Sequence, residues 1–236
     1  MGQSAGSLGA KLYCRKIFSE FEYKAAAVIT DSYLGVFPDG QESIMYDFGG
    51  CNSDILNLPM RALCLLRQLT MGSVVQKSMR DYPEVPFVYI QSKIDLYQTS
   101  YYSALAVTLD EDPLITESQF YLMSQNLLQA FNEHSNFVLY LADGSTHTFT
   151  TLNKYYTSGA EGEKKRSENY LSLQEHIEQF IQFPEVVSSV CKGVVLSKKE
   201  AVAAVAAEEE GGPSVSNDYC LEELFPKLVH LSGSSK

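Results

Sequence analysis

The sequence predicts an α+β fold: a mixed antiparallel sheet flanked by helices, extended by a hairpin and a helical carboxyl-terminal region. Three observations predict it. Short β-prone runs such as "KAAAVIT", "VPFVYI" and "SALAVTL" are bounded by turn signals. Two longer segments, roughly 58–78 and 116–134, carry apolar residues at helical spacing. Asp39-Gly40 and Asp143-Gly144 supply the positive φ that a tight chain reversal demands.

Taken in order, residues 24–30 and 33–37 read as strands, with 43–48 returning after the turn at Pro38, Asp39 and Gly40. A buried helix follows over 58–78. Asp54 or Asn57 can cap it, Pro59 suits its first turn, and Leu63, Leu66, Leu69 and Val74 form its apolar face. "VPFVYI" (85–90) is the next strand, and Ile94, Leu96 and Gln98 alternate in another. "SALAVTL" (103–109) is nearly continuous in apolarity, as a central strand would be. Pro113 in "DEDP" stops the pairing. Thr116 and Gln119 then form a capping box for a helix reaching His134. Residues 137–151 read as a hairpin with Asp143-Gly144 at its tip.

Past Lys154 the composition shifts. Residues 157–169 read as a mobile connection, and "SLQEHIEQFIQF" as a helix with a Ser172/Glu175 capping box. "EVVSSVCKGVVL" suits either a strand pair or a continuing helix. "SKKEAVAAVAAEEE" is helix-prone, but its terminal charges oppose the macrodipole, so a marginal helix is expected. The division is thus 1–23, an amino-terminal segment; 24–156, the α+β domain; 157–210, a helical extension; and 211–236, a flexible tail with a short helix.

The 236 residues suffice for a substantial core, and the net charge of -11 opposes nucleic acid as a partner. No apolar run approaches the roughly 18 residues of a membrane-spanning helix, and the start lacks the apolar core of a secretory signal. Five cysteines without a CxxC pair argue against a disulfide scaffold or structural zinc. A reduced, cytoplasmic chain without a cofactor is expected.

The segments "AAAVITDSYLGVF", "MRALCLLRQLTMGSVV", "VPFVYI", "IDLYQT", "SALAVTLDEDPLI" and "SQFYLMSQNLLQAF" give the order strand, strand, helix, three strands, helix. That order resembles the longin domain of trafficking proteins over about residues 24–134. The closing pair is similar to the strand–turn–helix of adaptor small subunits and of longins in Rab exchange factors. The hairpin at 137–151 departs from a minimal longin. The resemblance implies partner binding through a sheet edge and a helix face, the partners being other subunits, a small GTPase or a second longin-type chain. Tyr97, Tyr101 and Tyr102 suit such a surface; the plainer reading has them lining the sheet.

Met1 to Ser7 approaches the myristoylation pattern at Gly2, with Gly6 where Ser or Thr is typical. Cys14 could accept palmitate, and Lys11, Arg15 and Lys16 could add charge toward a membrane surface. Alternatively, Tyr13 and Cys14 belong to a first strand and "MGQSAGS" is a floppy end. In the tail, Phe225 and Leu228 resemble an autophagy-receptor docking motif, or a small helix packing on the body.

Enzyme readings find less. "DFGG" (47–50) resembles a kinase metal-binding triplet without the accompanying catalytic loop. His134, His147, His176 and His230 are far apart, and "STHTF" places His147 in a surface ladder. Cys64 reads as core, and no serine is placed in a nucleophile elbow. The expectation is a non-catalytic adaptor or complex subunit in membrane trafficking. The alternatives are an enzyme with a dispersed site, or a module of profilin or roadblock type.

Overall fold

A computed structural model of the chain describes residues 1–38, 44–108, 110–157, 173–175, 177, 194–210 and 219–221. Its centre is a sheet of β1 (Gly2–Gln3), β2 (Val28–Asp31), β3 (Phe87–Ser92) and β4 (Phe137–Ala142), in that spatial order. Every pairing is parallel: Gly2 lies opposite Thr30, Val28 opposite Phe87, and Phe87 opposite Phe137. The mixed antiparallel, longin-like sheet is therefore not what this chain forms. Parallel neighbours need crossovers in place of tight turns. Here α1 (Ala5–Glu20) links β1 to β2; α2 (Ile44–Asp47), α3 (Leu58–Leu65) and α4 (Met71–Asp81) link β2 to β3; α5 (Leu96–Thr108) and α6 (Glu117–Asn132) link β3 to β4.

β3 shows why this sheet is covered on both faces. All six of its residues are buried. Phe87 and Tyr89 pack with Phe120, Phe131 and Phe137 on one side, while Ile90 packs with Tyr140, Phe149 and Leu173 on the other. A strand enclosed this way needs apolar side chains at successive positions, and "FVYI" supplies them. The interior strand buried at every residue is thus β3, and residues 103–108 are not a strand.

Several local expectations change for identifiable reasons. Residues 33–37 form no strand, and residues 44–47 of the expected 43–48 strand are the short helix α2. The 58–78 helix is broken in two because Arg67 takes φ 58° and Thr70 then opens α4 with a Thr70/Ser73 capping box. Asn57 caps α3, accepting Met60 N–H at 3.1 Å. Of the strands expected at 94–98 and 103–109, residues 96–98 and 103–108 are instead part of helix α5, since Asp95 Oδ1 accepts the N–H groups of Tyr97 and Gln98, both at 3.1 Å. The Thr116/Gln119 capping box does start α6. The 137–151 hairpin is not formed: β4 has no returning strand, and residues 149–150 bond to the end of β2 instead.

Residues 1–23 hold β1 and α1, and Tyr13 and Cys14 lie on that helix, not on a first strand. Beyond β4 come α7 (Lys154–Thr157), β5 (Val194–Leu196), α8 (Lys198–Glu209) and β6 (Tyr219–Leu221), with β5 and β6 paired in parallel. The helix α8 carries a Ser197/Glu200 capping box and buries Ala201 in the main core, which offsets its adverse terminal charges. Cys51 and Cys64 form a disulfide, contrary to the expectation of reduced thiols throughout. The 158–169 connection, Ser172 and most of "EVVSSVCKGVVL" lie outside the described residues, as do Phe225 and Leu228.

Candidate active site at the carboxyl edge of the sheet

β1 ends at Gln3 and α1 begins at Ala5, so the chain turns from strand to helix on Ser4 alone. Ser4 holds φ 51° and ψ −126°, a conformation that costs a residue with a side chain about 1–3 kcal/mol. Its N–H donates to Asp31 O at 2.8 Å. The buried Ser7 hydroxyl lies 2.8 Å from the carbonyls of Gly2 and Asp31 and accepts Asp31 N–H, tying the turn to β2. Gly2 makes the turn possible, because a Cβ there would lie 2.0 Å from Gly6 O. Residues 2–6 read Gly-Gln-Ser-Ala-Gly, the G-x-S-x-G spacing of a nucleophile elbow. Ser4 therefore occupies the kind of turn that the sequence reading assigned to no serine.

His147 and Asp95 complete the arrangement. His147 Nε2 is 2.8 Å from Ser4 Oγ, and Nδ1 is 2.8 Å from Asp95 Oδ2. A carboxylate oxygen accepts, so Nδ1 carries the proton and Nε2 is left to accept from the Ser4 hydroxyl. The Asp95 side chain is fully buried, and the His147 side chain is 9% exposed. Asp95 is held by the Tyr97 and Gln98 N–H groups on Oδ1 and by Gln98 Nε2 on Oδ2 at 2.7 Å. Gln98 in turn is fixed by Leu34 N–H, which donates to its Oε1 at 2.8 Å. The acid is thus oriented by the first turn of α5, and His147 is not in a surface ladder.

A second carboxylate positions the histidine loop. Asp31, at the carboxyl end of β2 and fully buried, accepts from Phe149 N–H, Thr150 N–H, Thr150 Oγ1–H and Ser32 Oγ–H at 2.6–3.1 Å. Ser92 Oγ, at the end of β3, donates to Thr146 O at 2.6 Å. Ser4, Asp31, Asp95 and His147 each follow or close a different strand at its carboxyl end. In open parallel sheets, ligand sites form there.

Lys11 of α1 is 1% exposed and bonds the carbonyls of Tyr33 and Leu34, with its ammonium 5.0 Å from the Tyr89 ring centroid. Burial pulls its pKa down to about 7. Arg15 pairs with Asp81, and Lys16 with Glu20 and Asp54, so these charges are engaged within the protein. Cys14 is 4% exposed, and burial raises its thiol pKa; this placement does not offer the sulfur to an acyl donor. Gly2 pairs within the sheet. Tyr97 is 68% exposed and Tyr101 38%, whereas Tyr102 packs against the main core; none lines a strand, because all three stand on α5. Among the described residues, no group of three His, Cys, Asp or Glu side chains is placed to hold a metal ion.

The signal for Ser4 was local and legible: five residues with the elbow spacing. The signals for Asp95 and His147 were not, since they lie 52 residues apart and His147 is 143 residues from Ser4. Comparison with protein families, with curated proteins and with solved structures finds no match.

Proposed function

We propose that this protein is a serine hydrolase that cleaves carboxylic esters through an acyl-enzyme. The observation that carries the reading is the in-line chain Ser4 Oγ–His147–Asp95, with both hydrogen bonds at 2.8 Å, on a strained strand-to-helix turn. The chain order Ser, Asp, His is also the order in which α/β-hydrolases carry the triad, an analogy at the level of fold.

In the proposed cycle Ser4 Oγ attacks the ester carbonyl while His147 Nε2 takes the hydroxyl proton. Asp95 holds the imidazole in its Nδ1–H tautomer and stabilises the imidazolium. The oxyanion forms beside the N–H of Ala5, the first helical residue, whose amide lies outside the intrahelical ladder. His147 returns the proton to the leaving alcohol, and the C–O ester bond breaks. Water, deprotonated by the same nitrogen, then releases the acid and restores Ser4.

An adaptor role rested on an antiparallel edge and on the lack of a chemical constellation; neither now supports it. No described helix is long and apolar enough to cross a membrane. The Cys51–Cys64 bond supports an oxidising compartment over the cytoplasm.

The test is labelling with a fluorophosphonate, which phosphonylates an activated serine. The label is expected on Ser4 by peptide mass mapping and absent from S4A. Failure to label Ser4, or equal labelling of S4A, would overturn the reading.

A further inference from the structure

Tyr97 stands over the triad, and no packing need of the body explains it. Its ring stacks on the His147 imidazole with centroids 4.8 Å apart and planes 30° apart. It is nonetheless 68% exposed, so it covers the histidine without entering the core. Its own N–H donates to Asp95 Oδ1, which places plate and carboxylate on one helical turn.

We infer that Tyr97 is a positioning residue, holding the His147 imidazole in the plane shared with Asp95 and Ser4 during proton transfer; this rests on the serine hydrolase reading. The two hydrogen bonds of the imidazole lie in its plane and resist rotation within it, but resist tilting weakly. Once Nε2 has taken the Ser4 proton, it must turn from Ser4 Oγ to the leaving oxygen, and the Asp95 bond alone still holds the ring. At that moment the ring is a cation, and a stacked aromatic face attracts it more strongly than it attracts the neutral form. The stacking is therefore strongest in the charged transition state. Its loss belongs in kcat and leaves substrate binding unchanged.

The experiment compares Tyr97→Leu and Tyr97→Phe with the unmodified chain, using p-nitrophenyl acetate turnover and the rate of fluorophosphonate labelling. Tyr97→Leu is expected to lower kcat by roughly 10- to 100-fold with KM unchanged, as a misplaced catalytic group does, and to slow labelling in parallel. Tyr97→Phe keeps the stacked face and is expected to stay within about threefold. A Tyr97→Leu protein with unchanged kcat, or one whose loss lies wholly in KM, overturns the inference. So does a Tyr97→Phe protein as slow as Tyr97→Leu. If the unmodified chain fails to label at Ser4, the hydrolase reading falls first; if it labels and Tyr97→Leu labels equally fast, only the role of Tyr97 falls.

Discussion

The two ends of the parallel sheet are held by different means. At the amino end, one side chain gathers three carbonyls: Asn136 Nδ2 lies 2.8–3.2 Å from those of Met79, Tyr82 and Val85, closing the end of α4 onto the start of β4. Around it the contacts are aromatic and aliphatic, with Tyr89, Phe131 and Phe137 in mutual ring contact. At the carboxyl end the buried groups are polar, among them Ser7, Asp31, Ser32, Ser92, Asp95 and Gln98. Each is hydrogen-bonded, and several of the bonds join residues more than a hundred positions apart. One end is arranged to be stable and the other to hold a few atoms in register.

The largest effect that could break this contrast concerns Ser4. Ser4→Ala should reduce ester turnover by roughly 10⁴-fold or more while leaving the melting temperature close to that of the unmodified protein. A large loss of stability would mean that the elbow is structural scaffolding. Asp31→Ala comes next. It removes the acceptor of four donors on the histidine loop and Ser32, and should cost about 3 kcal/mol in chemical denaturation along with most of the turnover. Asn136→Ala is its counterpart at the other end: a loss of about 2 kcal/mol with kcat intact. If Asn136→Ala harmed catalysis as much as stability, the two ends would not be separable.

Lys11 gives the smallest effect and sharpens the comparison, because it is a buried amine near the carboxyl end that bonds two backbone carbonyls, those of Tyr33 and Leu34. Its folded pKa, about 7, lies below the unfolded value of 10.5, so the unfolded chain binds more protons between these limits. Stability contributed through this group therefore rises as pH increases from about 7 to 10.5, and is poorest below 7. Lys11→Met should stabilise the protein by about 1 kcal/mol at pH 7, after the lost bonds to Tyr33 and Leu34 are counted, and the gain should shrink toward pH 10. Paired denaturation curves at two pH values check the sign.

What the sequence revealed was set by how far each cause lies along the chain. The strand at "VPFVYI", the Asn57 cap and the Thr116/Gln119 box depend on neighbours within a few residues, and all were readable. Helix α5 was not, because most of its residues are exposed or half-exposed on all sides, with only Gln98 and Ala106 buried. Its apolar residues therefore lacked a helical stripe, and the chance alternation of Ile94, Leu96 and Gln98 imitated a strand. Strand direction was hidden too. β2 and β3 pair across three intervening helices, and no local pattern states whether such strands run together or opposed. The site was half legible. Gly2 to Gly6 hold the elbow in plain view, though the same residues also approach an acylation pattern, while Asp95 and His147 need the parallel sheet to bring them together.

The Cys51–Cys64 bond has a consequence for how the molecule withstands damage. Arg61 lies between the two half-cystines, where its guanidinium donates to the carbonyls of Ser53 and Leu56 and closes a small loop. A trypsin nick after Arg61 would leave two polypeptides that still migrate together, parting only when a reductant is added. The segment between β2 and β3 can thus be severed at one point without the halves of the sheet drifting apart.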